Sequence, residues 1–224
     1  MRLSLYRHLL NRRHFIALPV LIAAAGNCAF AATAGGASPE RTILVVGDSL
    51  SAEYGLKRGT GWVALLDEKL KTERPGVSVV NASISGDTTA GGRSRLSGLL
   101  NKHNPGYVII ELGGNDALRG LPLRLTQENL NFMTKAAQAA GAKVLLVGMQ
   151  VPPNYGSEYA AQFANLFSVV AKTNQAGVVP FLLKGIADTA DSTAMFQADR
   201  IHPKAEAHPT MLANVWPELK KLLK

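Results

Sequence analysis

The segment TILVVGDSLSAEYG, Thr42–Gly55, begins as an apolar run rich in β-branched residues and ends abruptly in small and polar ones. Continuous runs of this kind are typical of strands that are buried on both faces of a parallel sheet. Residues Thr42–Val46 therefore predict a central strand. Ser49 stands just behind that strand, where it could cap a following helix or carry chemistry.

Four similar apolar runs predict four more strands. They span Val77–Val80, Tyr107–Leu112, Lys143–Val147 and Val178–Leu182. The last run contains Pro180, which lacks the backbone N–H that a central strand donates to its neighbour. We therefore expect that strand to lie at an edge of the sheet.

Segments with apolar residues at helical spacing lie between these runs. Helices are predicted from Trp62 onward and over Leu123–Ala140, Tyr159–Asn174 and Pro203–Leu223. Pro209 and Pro217 argue against a continuous last helix. Strands that alternate with helices predict an α/β fold, a three-layer α/β/α sandwich with a mainly parallel five-stranded sheet.

Residues 1–31 have the three parts of a secretory signal peptide. Residues 1–14 carry four arginines and no acid, Phe15–Gly26 is a short apolar run, and Ala29–Ala31 offers an A-x-A cleavage site. The apolar run is short for a membrane span, although an uncleaved anchor stays an alternative. Asn11–Ala17, NRRHFIA, is similar to the twin-arginine export signature. We expect a periplasmic or secreted protein, exported by the Sec or the twin-arginine route.

Residues 32–40 are predicted to be a flexible Gly-rich lead-in, and residues 41–224 a single domain. Cleavage after Ala31 would remove Cys28, the only cysteine, so the mature chain could form no disulfide. The four arginines of the signal peptide supply half of the formal net charge of +8. No stripe of Lys and Arg interleaved with aromatic residues is present, which argues against nucleic-acid binding.

Chemically useful residues follow three of the predicted strands. Ser49 follows the first strand, the Gly-rich segment Ala82–Gly92 follows the second, and Gly113–Asp116, GGND, follows the third. In such folds the sites form beyond the carboxyl ends of the strands, so these segments should meet at one edge. Far along the chain, ADRIHP places Asp199 three residues before His202.

These residue types are the parts that a serine needs for acyl transfer. Ser49 would be the nucleophile, His202 the base that takes its proton, and Asp199 the acceptor that fixes the histidine tautomer. The backbone N–H groups of Ser49 and Gly86 and the amide of Asn115 would form the oxyanion hole. If Ser49 also starts a helix, the helix dipole would favour the developing negative charge.

The order serine, aspartate, histidine also occurs in α/β-hydrolases, but the G-x-S-x-G elbow of that fold is absent here. The four blocks GDSLSAEYG, NASISGDTTAGG, GGND and DRIHP resemble the SGNH or GDSL-type hydrolase superfamily. Within it the chain resembles the small periplasmic arylesterase, acyl-CoA thioesterase and lysophospholipase group. LRGLPL, PPNYGSEY and NVWPELK add to the likeness, which covers nearly all of the mature chain.

The resemblance implies a flavodoxin-like SGNH fold and a serine esterase or thioesterase. It implies catalytic roles for Ser49, Asp199 and His202, and oxyanion roles for Gly86 and Asn115. The implied substrates are small-molecule or lipid esters: aryl esters, acyl thioesters and lysophospholipids. We expect no cofactor, no metal, a monomer, and transient contact with a membrane surface. The alternatives are an O-deacetylase of carbohydrate or peptidoglycan and a catalytically silent binding protein.

Two loops are candidates for the acyl-binding walls. One is LRGLPL, with Leu118 and Leu121, and the other is MQVPPNYG, with Pro153 and Tyr155. The first loop could close over an acyl chain beside Asn115. Both segments could equally be ordinary connections between secondary-structure elements.

Several neighbours of these blocks have other expected roles. Asp48 should fix its turn through backbone N–H groups, and Asp116 should orient the Asn115 loop. Arg200 stands where many relatives have glycine, either as a solvated side chain or as a charge at the mouth of the site. His103, at a predicted helix end, and His208 are the alternative bases.

Overall fold

Five parallel strands form the centre of the computed structural model, which describes residues 42–191 and 193–224. They are β1 (Thr42–Gly47), β2 (Ser78–Asn81), β3 (Tyr107–Glu111), β4 (Lys143–Val147) and β5 (Gly177–Val179), in the order β2-β1-β3-β4-β5. The predictions for the signal peptide, its cleavage and the lead-in fall outside the described residues.

Six α-helices of the described residues cover the two faces of this sheet. They are α1 (Trp62–Glu73), α2 (Thr89–His103), α3 (Gly114–Leu118), α4 (Leu123–Ala139), α5 (Ser157–Asn174) and α6 (His208–Leu222). Helices α1 and α6 pack together on one face, and α2, α4 and α5 pack on the other. The predicted three-layer α/β/α sandwich with a parallel five-stranded sheet is confirmed.

The central strand is the apolar run quoted at the start. All six residues of β1 are buried, whereas the edge strand β2 is half exposed. The strand containing Val178 also lies at an edge, as expected, but it ends at Val179 because Pro180 cannot continue the hydrogen-bond ladder. The register places Gly47 beside Glu111, so the carboxyl ends of β1 and β3 are level.

The long helix α2 was not predicted as an element, because its Gly-rich start hides the apolar spacing. Thr88 caps its first turn by accepting a hydrogen bond from the backbone of Gly91. Gly92 lies so close to the sheet that a Cβ atom would come within 2.3 Å of Leu112 Cδ1. The helix ends at His103, where a helix end was expected.

The last helix starts later than predicted. A 3-10 turn at Ala205–Ala207 precedes α6, and Pro203 forms an isolated bridge with Phe196 instead of helix. Pro209 sits in the first turn of α6, where its missing N–H has no partner to lose. The helix continues through Pro217 to Leu222, although the two prolines argued against a continuous helix.

The core lies on both faces of the sheet and consists of aliphatic and aromatic side chains with few charges. Among residues 42–191 and 193–224, no helix is both long and apolar enough to cross a bilayer.

Candidate active site

The three residues predicted to form a triad are joined by hydrogen bonds. Ser49 Oγ lies 2.9 Å from His202 Nε2, and His202 Nδ1 lies 2.8 Å from Asp199 Oδ2. Because Asp199 accepts the proton on Nδ1, Nε2 is left unprotonated and faces the serine hydroxyl. This is the tautomer that a general base requires.

The Asp199 loop is built around that carboxylate. Oδ1 accepts the backbone N–H groups of Ile201 and His202, at 2.9 and 3.0 Å. These two bonds, followed by the bond from the histidine ring, lower the pKa of Asp199 to about 2. The carboxylate therefore stays ionised throughout the neutral range.

Arg200 adopts a left-handed backbone conformation with φ of 59°. This conformation costs an L-residue with a side chain about 1–2 kcal/mol, whereas glycine adopts it freely. The loop geometry at this position therefore favours glycine over arginine. The arginine is exposed.

Two neighbours that sequence reasoning missed hold His202 in place. Tyr54 lies against the imidazole with ring centroids 4.3 Å apart. Gln197 donates from its side chain to the carbonyls of Tyr54 and Pro203, at 3.0 and 3.1 Å, while its N–H donates to the His202 carbonyl at 2.8 Å. Gly55 leaves the space for this side chain, since a Cβ would meet Gln197 Oε1 at 2.2 Å.

Ser49 lies in a tight turn rather than at the start of a helix. The Ala52 N–H donates to the Asp48 carbonyl at 2.9 Å, and the next helix begins only at Trp62. The expectation of a helix cap and a helix dipole at Ser49 is therefore wrong. The sharp turn brings Ser51 so close to Gly47 that a Cβ there would lie 2.8 Å from the Ser51 side chain. Only glycine therefore fits at this position.

The three predicted oxyanion donors come from different segments, and their N–H groups are not equally free. The backbone N–H groups of Ser49 and Gly86 have no acceptor among the described residues. The Asn115 amide nitrogen already donates to Asp48 Oδ2 and to the Asp87 carbonyl, both at 3.0 Å.

The loop that carries Gly86 is held by two arginines. Arg119 donates to the Gly86 carbonyl at 2.7 Å. Arg95 forms an ion pair with Asp87 at 2.8 Å and also donates to the Ala82 carbonyl. Gly86 itself needs its φ of 78°, which a residue with a side chain rarely adopts.

Asp116 anchors the helix that carries Asn115, as expected. Its Oδ2 accepts the Thr89 N–H at 2.8 Å, and its Oδ1 accepts the hydroxyls of Thr89 and Thr126. One buried carboxylate therefore connects α2, α3 and α4 beneath the site.

A second buried carboxyl group lies on the other side of Ser49 and was missed by sequence reasoning. Glu111 ends β3 with no exposed surface, and its Oε2 accepts from Ser51 Oγ at 2.7 Å and from the Asp48 N–H at 3.4 Å. Asp48 accepts the Leu50 N–H at 3.0 Å, which fixes the turn as expected. Burial raises the pKa of Asp48 to about 6 and that of Glu111 well above its usual value. The only sequence signal was an acid that ends an apolar strand.

The predicted acyl-binding residues lie in two separate segments. Leu118, 47% exposed, ends α3 three residues after Asn115, and the Leu121 N–H is bonded to the Asp116 carbonyl. Pro153 belongs to a 3-10 turn with Tyr155, whose ring stacks on Tyr159. The first pair thus lies beside Asn115, whereas among the described residues no hydrogen bond or ring contact joins Tyr155 to Ser49, His202 or Asp199.

The alternative bases lie elsewhere. His208 is buried, and its Nδ1 accepts the Trp62 N–H at the start of α1 at 3.0 Å. Burial lowers the pKa of His208, which keeps it neutral. His103 ends α2, at the opposite end of that helix from Thr89. No group of three potential metal ligands occurs among the described residues.

A parallel α/β/α sandwich with a serine–histidine–aspartate hydrogen-bond chain beyond its strand ends has the architecture of a serine hydrolase. The family model described as GDSL-like lipase/acylhydrolase matches residues 45–209. The chain belongs to this family, as its four sequence blocks implied, and it is a hydrolase of ester bonds.

Three curated relatives share most of the chain. Esterase TesA of Pseudomonas aeruginosa is 51% identical over 183 residues, which cover 82% of this chain and 90% of the relative. An arylesterase of Vibrio mimicus is 40% identical, with 81% and 89% covered. Thioesterase 1/protease 1/lysophospholipase L1 of Escherichia coli K12 is 39% identical, with 75% and 78% covered. The crystal structure of TesA matches with a TM-score of 0.77 at 51% identity, over 81% of this chain and 99% of that one.

Proposed function

We propose that this chain is an exported serine esterase and thioesterase that works through an acyl-enzyme on Ser49. The observation that carries the proposal is the unbroken hydrogen-bond chain from Ser49 through His202 to Asp199. Free backbone N–H groups lie on the same rim of the sheet. Together they supply a nucleophile, a base and oxyanion donors.

In the first half of the reaction, Ser49 Oγ attacks the carbonyl carbon while His202 Nε2 takes the hydroxyl proton. The tetrahedral intermediate collapses, and His202 returns that proton to the leaving alcohol or thiol. In the second half, His202 takes a proton from water, whose oxygen attacks the acyl group. The acid leaves and Ser49 regains its proton, so that the enzyme is unchanged.

The negative charge of each intermediate would rest on the N–H groups of Ser49 and Gly86 and on the amide of Asn115. The Asn115 proton that faces the Asp87 carbonyl in the free enzyme is the one that would move to the oxyanion. The other amide proton keeps its hydrogen bond to Asp48 Oδ2. A donor that gains its best acceptor only in the transition state accelerates the chemical step.

The proposed substrates are aryl esters, acyl thioesters and lysophospholipids. The names of the three relatives support these classes. A broad range of substrates is also consistent with the mechanism, because an alcohol or a thiol leaves once it has received the proton from His202. The exposed apolar side chain of Leu118, near Asn115, offers a surface for the acyl chain. An O-deacetylase is the alternative, and it differs in accepting only acetyl esters.

Hydrolysis of p-nitrophenyl butyrate by the wild type and a Ser49→Ala variant tests this proposal. We expect the variant to lose about 10³-fold or more in kcat, because the nucleophile is gone. Ser97→Ala, on the exposed face of α2, is the matched control and should keep wild-type rates. Full activity of Ser49→Ala would refute the acyl-enzyme.

A substrate series separates the two candidate activities. Acyl esters and acyl-CoA thioesters from two to twelve carbons should all be hydrolysed if the chain is a broad esterase. Activity confined to acetyl esters, together with release of acetate from acetylated polysaccharide, would favour the O-deacetylase instead.

The export proposal has its own test. The sequence pattern of residues 1–31 supports it, and the intact mass of protein recovered outside the cytoplasm should correspond to a chain that begins at Ala32. Replacing Arg12 and Arg13 by lysine should block export if the twin-arginine route is used, and should leave it unchanged on the Sec route.

A further inference from the structure

The buried Glu111 has no part in the mechanism above, yet it lies directly against the residue that precedes the nucleophile. We propose that Glu111 is a positioning residue, a neutral carboxyl group that donates a hydrogen bond to Asp48 and so holds the Asn115 amide in place for the oxyanion. The inference rests on the proposed oxyanion role of Asn115, and it adds a residue to that function.

The surroundings of Glu111 favour a protonated side chain. Oε2 accepts from Ser51 Oγ and from the Asp48 N–H, so it is satisfied as an acceptor. Oε1 is buried and has no donor among the described residues. A buried carboxylate oxygen without a donor is costly. A proton on the carboxyl group removes the negative charge that lacks a donor there, and a side-chain hydrogen bond links the group to Asp48.

The electrostatics of the pair agree with this proton position. Two carboxylates in contact cannot both ionise without strong repulsion. Burial and the charge of Asp48 raise the pKa of Glu111, whereas the hydrogen bond from Glu111 acts to lower the pKa of Asp48. The pair therefore holds its proton on Glu111 and its charge on Asp48.

The Asp48 carboxylate in turn holds two parts of the active site in place. Its Oδ1 accepts the N–H of Leu50, which fixes the turn that carries Ser49, and its Oδ2 accepts the Asn115 amide at 3.0 Å. An amide with one proton held by a carboxylate can rotate little. The second amide proton, which faces the Asp87 carbonyl at 3.0 Å, is thereby kept in position to turn toward the oxyanion.

The first test compares Glu111→Gln with Glu111→Leu. The glutamine amide can donate to Asp48 while its oxygen accepts from Ser51, so kcat should stay within about threefold of the wild type. Leucine fills similar space but can donate nothing, and we expect kcat to fall about 10–100-fold with KM nearly unchanged. Equal losses in the two variants would overturn the neutral-donor role.

Val144→Ala controls for general destabilisation. Val144 is a buried residue of β4 near the amino end of that strand, and its truncation should lower the melting temperature without changing kcat. A Glu111→Leu variant that loses only melting temperature, as this control does, would show a merely structural role and overturn the proposal.

A double-mutant cycle tests the route through Asn115. If Glu111 acts by holding that amide, Glu111→Leu should cost less than about threefold in kcat when Asn115 is already alanine. Independent, multiplicative losses would overturn the route. This outcome is distinguishable from failure of the proposed function, which Ser49→Ala tests separately.

Discussion

At the scale of single residues, the site depends on hydrogen bonds that fix tautomers and protons. Asp199 uses Oδ2 for the His202 ring and Oδ1 for two backbone N–H groups, so one carboxylate orients both the imidazole and the loop that carries it. Asp48 likewise uses one oxygen for its own turn and the other for Asn115. Each carboxylate thus connects a functional side chain, His202 or Asn115, to nearby backbone N–H groups.

Arg200 gives a prediction about strain. Its φ of 59° is favourable for glycine but not for arginine, so Arg200→Gly should stabilise the protein by about 1 kcal/mol net, after the entropy that glycine adds to the unfolded chain is subtracted from the cost of the strained backbone. For a domain of this size the melting temperature should rise by about 2–4 °C. Thermal unfolding measures this change.

The same variant also tests whether Arg200 has a role at the mouth of the site. A solvated side chain predicts unchanged kcat/KM for neutral and anionic esters alike. A fall confined to anionic substrates would instead assign the charge to substrate binding. A lower melting temperature would contradict the strain argument.

At the scale of elements, the helix α1 is capped from outside its own sequence. Gly61 offers no side chain to its first turn, and His208 of α6 accepts the Trp62 N–H instead. The two helices on that face of the sheet are therefore joined by a hydrogen bond as well as by packing. This contact requires a neutral histidine.

His208 predicts a pH dependence of stability. Its pKa is lowered in the folded state, first by burial, so the unfolded chain binds a proton more readily. Stability from this group is complete above the unfolded value of about 6.5 and is lost as the pH falls from there through the lower folded-state pKa. His208→Asn, whose side-chain oxygen can accept the same N–H without titrating, should lose less melting temperature than the wild type between pH 7.5 and 5. Identical slopes would contradict this role.

The α3–α4 connection gives a prediction about acyl chains. Leu118 ends the helix that carries Asn115, and Leu121 follows three residues later with its N–H bonded to the Asp116 carbonyl. If they contact the acyl group, Leu118→Ser or Leu121→Ser should lower kcat/KM for octanoyl esters by about 10-fold or more while sparing acetyl esters. Leu125→Ser, exposed on α4, is the control. An unchanged acyl-length profile would mean that the segment is only a connection.

At the scale of the whole molecule, the sheet and the hydrogen-bonded Ser49, His202 and Asp199 could be predicted from sequence because both follow from local patterns. Apolar runs marked the strands, and parallel strands bring their carboxyl ends to one edge. The hidden helix α2, the later start of α6 and the turn at Ser49 could not be predicted, because packing at Gly92, the Phe196–Pro203 bridge and the Gly47–Ser51 approach decide them. Glu111 was missed for the same reason, since its partners are remote in sequence.

If Ser49 forms the covalent intermediate, a reagent that traps serine nucleophiles should label it selectively. The protein is treated with an activated alkyl phosphonate ester, which traps a serine nucleophile as a stable adduct, and is then measured by intact mass and peptide mapping. We expect one adduct per chain, on the peptide that contains Ser49, with activity lost in step with labelling. An inactivated protein whose adduct lies on another residue would contradict it.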